Sequence, residues 1–411
     1  MVIGRKKLKK LLIEEIMARK MRSIASRIKD VKPSGIRRMF DLAQGIEGII
    51  SLGIGDPVPA FDTPEFIKEA AKTALDKGFS AYSPNLGFVE LREQIVNKYK
   101  KEYKLDYGLD EVCVTCGGGE ALYLACQALI DPGDEVLIPD PAFLTYPPQV
   151  SFSGGHPVRV PVLEENEFCL NPDDLSEKIT SKTKMIILNY PSNPTGAMMK
   201  RADLKAIAEI AQDHDLFILS DEVYEKLVYD NNKHICMATL AGQDRTIVVN
   251  SFSKTFSMTG WRVGYVLANK ELTNAMMVIH QMNAVAANSA AQMGCVEGMK
   301  NTAEYEKFSK GMLASFDERR KILVNGLNKV EGIHCIMPKG AFYSFPNIKG
   351  TGINSYEFSE FLIKKAKVVT IPGNEFGELG EGYVRASYVA PVEKLREALE
   401  RIEDSLARKS K

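Results

Sequence analysis

Five short apolar runs constrain what this chain can fold into more than any other feature: residues 112–116, 135–138, 185–190, 216–220 and 246–250. They are too short for ordinary helices, and most lack the polar alternation of a half-solvated strand, so they read as strands buried on both faces. Helical spacing fills residues 88–103, 120–130 and 201–214 around and between them. Strands alternating with helices imply an α/β fold with a mostly parallel, doubly wound sheet. In such sheets ligands sit beyond the carboxyl ends of the strands, so chemistry is expected in the segment just after each run.

The run at 246–250 leads into Ser-Phe-Ser-Lys-Thr-Phe-Ser-Met-Thr-Gly-Trp-Arg, residues 251–262. Lys254 therefore stands where a strand gives way to a loop. Apolar neighbours disfavour its ammonium form, and the neutral amine can form a Schiff base with an aldehyde. Ser251, Ser253 and Arg262 add hydroxyl donors and a planar cation suited to a phosphate. Alone, a loop lysine is more often simply solvated; partners elsewhere decide. Asp221 ends the run at 216–220, with Tyr224 three residues on. The run at 185–190 ends in Pro191-Ser-Asn-Pro-Thr-Gly196, whose prolines and glycine forbid regular structure and hold Asn193 in place. Phe143 lies just beyond the run at 135–138. After residue 116 come Gly117, Gly118 and Gly119 and then a helix, which fits either a phosphate site on exposed N–H groups or a plain turn. Neither GxGxxG nor a Walker lysine accompanies them, so dinucleotide and nucleoside triphosphate binding are not indicated. Gly53 and Gly55 interrupt the apolar segment 49–55 and allow close backbone approach. Arg385 alternates with apolar residues in 383–388; facing outward it is a surface charge, facing inward it requires an anion.

Composition narrows the partners. Fifty-three basic residues balance fifty-three acidic ones over 411 residues, which favours a small-molecule partner over nucleic acid or membrane. Seven scattered cysteines suit a reducing cytoplasm. Cys113 and Cys116 form a CxxC inside a strand pattern, where positions three apart face opposite sides, so they read as buried thiols rather than zinc ligands. Residues 1–22 are a basic extension with leucines at helical spacing. It reads as a partner or membrane-surface helix, as a solvated tail, or as a start assigned too early. Further helices are expected over 36–44, 64–77, 304–329 and 392–408, and a strand over 368–371; the helix at 304–329 opens a second lobe.

Taken in order, Ser-Phe-Ser-Lys254, Met-Thr-Gly-Trp-Arg262, Asn193-Pro-Thr-Gly, Ser-Asp221-Glu-Val-Tyr224 and Arg385-Ala-Ser-Tyr resemble the class I/II aminotransferases of fold type I, which use pyridoxal 5′-phosphate (PLP). The resemblance spans nearly all of residues 24–407 and is nearest to the prokaryotic aspartate and aromatic amino-acid aminotransferases. It implies a large PLP-binding lobe at 63–299 and a smaller α+β lobe from 23–62 and 300–411. It implies that Lys254 binds PLP and moves the substrate α-proton, and that Asp221 pairs with the ring nitrogen. Tyr224 and Asn193 would bond the ring oxygen, and Phe143 would stack on the ring. Gly118, Gly119, Ser251, Ser253 and Arg262 would hold the phosphate, with Tyr82 from a neighbouring subunit of a homodimer. Arg385, Gly55 and Asn193 would clamp the α-carboxylate of an L-amino acid or 2-oxo acid.

Two departures bear on substrate. Residues 58–60 lengthen the loop after Gly55-Asp-Pro, and Gly119 replaces a lysine that reads the distal carboxylate in some aspartate-specific relatives. A range extending beyond aspartate is expected, with Phe342, Tyr343 and the 58–60 loop as apolar walls. A PLP lyase or synthase of the same fold is the alternative, and a PLP-domain regulator a remote one.

Overall fold

The computed structural model describes residues 35–58 and 60–409. Helix α1 (Gly35–Ala43), strand β1 (Ile50–Ser51), helices α2 (Glu65–Asp76) and α3 (Val89–Tyr103), strand β2 (Val112–Thr115) and helix α4 (Gly118–Leu129) come first. Strands β3 (Glu135–Asp140) and β4 (His156–Pro161) flank helix α5 (Tyr146–Phe152), and β5 (Thr183–Asn189) and β6 (Phe217–Asp221) flank α6 (Arg201–Asp213). Next come β7 (Thr246–Ser251), the single helical turn α7 (Phe252–Thr255), β8 (Gly264–Leu267) and helices α8 (Lys270–Asn283), α9 (Ser289–Lys300) and α10 (Thr302–Leu327). The chain ends with β9 (Tyr343–Ser344), α11 (Ser355–Phe361), β10 (Val368–Val369), β11 (Ile371–Pro372), β12 (Val384–Ser387) and α12 (Val392–Lys409).

Seven strands form the central sheet in the order β2-β8-β7-β6-β5-β3-β4. Only β8 runs against its neighbours β2 and β7; the other pairs are parallel. Both faces are buried, which is why the runs are apolar throughout rather than alternating. Along β7, Ile247 and Val249 join the cluster containing Leu122 and Ala125 of α4, while Val248 joins Phe252, Tyr265 and Leu267 on the other face. The carboxyl ends of β2, β5, β6 and β7 therefore share one edge. The α/β, mostly parallel, doubly wound arrangement expected from the sequence is the one observed.

Segments distant in sequence make the smaller sheets. Strand β1 pairs in parallel with β10, Ile50 opposite Val368, and β12 lies between β11 and β9 in antiparallel register. The strand expected over 368–371 is thus two strands in two sheets. Thr370 marks the break, its hydroxyl 3.1 Å from that of Ser359 on α11. Strand β3 runs two residues past the expected end at 138. Pro139 is tolerated because pairing with β5 stops at Leu137, leaving only β4 alongside. Residues 1–22 lie outside the described residues, as does Pro59 of the 58–60 loop. Among the described residues no helix is long and apolar enough to cross a membrane.

Candidate active site

The shared edge of the sheet opens into a cavity of ≈ 490 Å³. Its walls include Gly118 and Gly119 after β2, Phe143 after β3, Asn189 at the end of β5 and Asn193 just after it, Asp221 and Tyr224 at and after β6, and Ser251, Ser253 and Lys254 at β7 and α7. Gly55 of the segment after β1 and Arg385 of β12 close it from the smaller sheets.

Three ionisable groups converge there, Asp221 and Arg385 buried and Lys254 half-buried, and of the three only Lys254 has an opposite charge acting on it, that of Asp56. Lys254 Nζ donates to the carbonyl oxygen of Gly55 at 2.6 Å, and burial holds its pKa down to about 8. Asp221 accepts from Tyr146 Oη at 2.7 Å, yet burial pushes its carboxyl up to about 6 because no cation stands beside it. Arg385 donates Nη1 to Asn193 Oδ1 and Nη2 to the Gly53 carbonyl, each at 2.9 Å, and its Nε is buried without a partner. A buried guanidinium facing only neutral acceptors is an anion site.

The glycines fit close approaches. At Gly117 the backbone is left-handed, φ +85°, and a Cβ would lie 2.5 Å from Arg262 Nη2, so only glycine lets that guanidinium reach the start of α4. A Cβ at Gly55 would lie 2.6 Å from Tyr343 Oη. Gly119, by contrast, faces open space. Ser251 and Ser253 hydroxyls are 2.8 Å apart beside this helix start.

The sequence profile of aminotransferase class I and II matches residues 47–402. The chain belongs to that family. An aspartate aminotransferase of Pyrococcus horikoshii is 48% identical over 383 residues, covering 93% of this chain and 97% of its own. The aromatic-amino-acid aminotransferase 2 of Thermococcus litoralis is 46% identical, covering 94% and 99%. The crystal structure of an aromatic aminotransferase from Pyrococcus horikoshii superposes with a TM-score of 0.86 at 44% identity, covering 90% of this chain and 99% of that one.

Twelve of the residues expected from sequence border the family-type cavity: Gly55, Gly118, Gly119, Phe143, Asn193, Asp221, Tyr224, Ser251, Ser253, Lys254, Arg262 and Arg385. Tyr82 does not; it is 82% exposed on the loop before α3, where Ser289 holds the carbonyl of Ala81. Phe342 is also outside, packed in the core beneath Tyr224, so it is not an apolar wall. Tyr343 does border the cavity, but as a polar group: its hydroxyl is 3.1 Å from that of Tyr224, and its ring lies 4.4 Å from the Arg385 guanidinium carbon. Val58 and Ala60 do not border it. Of the CxxC pair, Cys113 is buried as expected, whereas Cys116 is only half-buried, because β2 ends at Thr115 and leaves it on the turn.

Sequence reasoning missed Tyr146, Asn189 and Asp56. Asn189 donates to the Asp221 carbonyl and accepts from the Asn193 N–H, tying the ends of β5 and β6 together. Asp56 accepts from Thr259 Oγ1 at 2.9 Å and is the nearest negative charge acting on Lys254. Asp56 was signalled by the Gly-Ile-Gly-Asp segment, whereas Tyr146 carries no signal separable from a core aromatic.

Proposed function

We propose that this protein is a PLP-dependent aminotransferase that moves the α-amino group between L-amino acids and 2-oxo acids in a ping-pong exchange. The observation that carries the reading is the convergence on one cavity of Lys254, whose ammonium form is disfavoured, with Asp221 and Arg385, both buried with no opposite charge beside them. The donor set fits PLP. Asp221 lacks a cation and suits a protonated ring nitrogen; the Gly117–Gly118 turn with Ser251 and Arg262 suits a phosphate; Lys254 suits an aldehyde. When bound, PLP supplies that aldehyde and a cationic ring that accepts the electron pair left as the α-proton departs.

The protein's own residues do the rest. With its pKa near 8, Lys254 Nζ is neutral about half the time at that pH, and can both attack a carbonyl and carry a proton to and from a substrate α-carbon. Arg385 offers a fork to the planar α-carboxylate, with Asn193 fixing its plane. The Tyr224 and Tyr343 hydroxyls, 3.1 Å apart at the cavity wall, would serve the cofactor's ring oxygen and the substrate carboxylate. The lobes at 63–299 and at 23–62 with 300–411 would bring Arg385 and Gly55 onto this site. Tyr82, an exposed aromatic on a chain that also exposes Met282 and Val285, supports a homodimer in which it enters the neighbour's phosphate site.

On substrate, we propose a range that includes aromatic and neutral amino acids besides aspartate and glutamate. Among the described residues the basic groups at the cavity are Lys254, Arg262 and Arg385, all assigned, while Ile36, Phe40 and Leu122 give apolar wall. An unpaired distal carboxylate there costs several kcal/mol. The test is a kcat/KM panel of aspartate, phenylalanine, tyrosine, alanine and leucine with 2-oxoglutarate, reading glutamate formed against ammonia or pyruvate released. Glutamate formation from aromatic acids is expected. Ammonia or pyruvate as the main product would point to a lyase, and an aspartate preference above ~1000-fold, about 4 kcal/mol, would mean that another cation reads the distal group.

A further inference from the structure

The turn α7 separates two cavities. Ser253 and Lys254 face the candidate active site, whereas Phe252, Thr255 and the adjoining Phe256 face a second cavity of ≈ 330 Å³, walled by α3, β8 and the junction of α9 with α10. The proposed reaction makes no use of it. Part of its lining is a buried ion pair between Lys98 and Glu225; Tyr103 Oη donates to Glu225 at 2.7 Å and Lys98 donates to Tyr265 Oη at 3.1 Å. These groups satisfy one another.

Asn250 is not satisfied. Strand alternation turns its side chain to the sheet face of Val248, toward Phe252, Phe256 and Tyr265. Its Oδ1 accepts from the Ser251 N–H at 2.7 Å, but its Nδ2 is buried without a partner. Buried amide donors normally have an acceptor. At the rim, Lys101 and Lys300 form no ion pair among the described residues, so four lining lysines stand against two glutamates. Phe252, Phe256 and Met299 supply an apolar wall between the buried donor and the basic rim.

We infer a second small-molecule site here, for an aromatic acid with a hydrogen-bond acceptor at one end and an anionic group at the other. The acceptor meets Asn250 Nδ2, the ring lies along Phe252 and Phe256, and the anion faces Lys101 and Lys300. Because α7 carries Lys254 on its other side, occupancy changes turnover without competing with the amino acid.

The experiment is isothermal titration of the holoenzyme with 4-hydroxyphenylacetate, which has the two groups and no amine to transfer. In Arg385→Leu, where the carboxylate clamp of the candidate active site is gone, the ligand is expected still to bind. The rim variants Lys101→Glu/Lys300→Glu and Thr302→Trp, at exposed positions, are expected to bind at least tenfold more weakly with unchanged thermal unfolding. In wild type the ligand should alter kcat at saturating amino acid, where competition at Arg385 is overcome, and the rim variants should lose that effect. Absence of binding to wild type at millimolar ligand would overturn the inference. So would binding that is lost in Arg385→Leu and untouched by the rim changes. Since binding is read as heat, a failure here is distinct from a failure of the proposed transamination.

Discussion

Replacing Asp221 by Asn should stabilise the cofactor-free protein at neutral pH while destroying its activity. Burial raises the carboxyl from an ordinary 3.8 to about 6. The folded state then binds a proton more tightly than the unfolded one, so the favourable contribution is complete below pH 3.8 and is lost as pH rises through 6. Above pH 6 the ionised, unpaired carboxylate costs about 2 units at 1.36 kcal/mol each, roughly 3 kcal/mol. Asn keeps the shape but also changes the hydrogen bond from Tyr146, so the informative quantity is how the difference between variant and wild type changes with pH. From pH 5 to pH 8 the relative stability of Asp221→Asn should grow by about 1.4 kcal/mol. Urea unfolding of the apoprotein at both values, with matched ionic strength, measures this. With PLP bound, a cationic ring nitrogen should reverse the sign, making the wild-type holoenzyme the more stable. A difference independent of pH in the apoprotein would refute the claim that Asp221 is a buried carboxylate awaiting a cation.

Two further perturbations test the site's other ends. Arg385→Lys keeps the charge but loses the two-pronged geometry, and should lower kcat/KM by about 100-fold, near 3 kcal/mol, mainly through KM; steady-state kinetics with a monocarboxylic and a dicarboxylic amino acid would check it. Mixing inactive Lys254→Ala chains with inactive Tyr82→Ala chains should restore activity through hybrid dimers, measured after subunit exchange, since one site in each hybrid then has both residues intact.

The sheet and the strand-end residues were legible because both arise from local pattern. Apolar runs with no alternation can only be buried on both faces, and the residues that end them must lie at the sheet's edge, so Asp221, Asn193 and Lys254 could be placed without knowing the strand order. Arg385 was ambiguous in sequence because a strand's two faces differ only by what packs on them; the pairing of β12 with β11 and β9 and its contact with Asn193 decide that it faces inward. Tyr146 and Tyr343 could not be separated from core aromatics, since what sets them apart is one hydroxyl each, aimed by tertiary packing at Asp221 and Tyr224. The split between β10 and β11 was equally invisible, because two-residue strands that belong to different sheets look like one apolar run.

The central claim is that Lys254 is the residue that joins the cofactor. The protein purified with PLP should be yellow, and borohydride reduction followed by proteolysis and mass spectrometry should find the pyridoxyl group on the peptide containing Lys254, with Lys254→Ala losing both the colour and the turnover. A pyridoxyl group on another lysine, or near-normal transamination by Lys254→Ala, would contradict it.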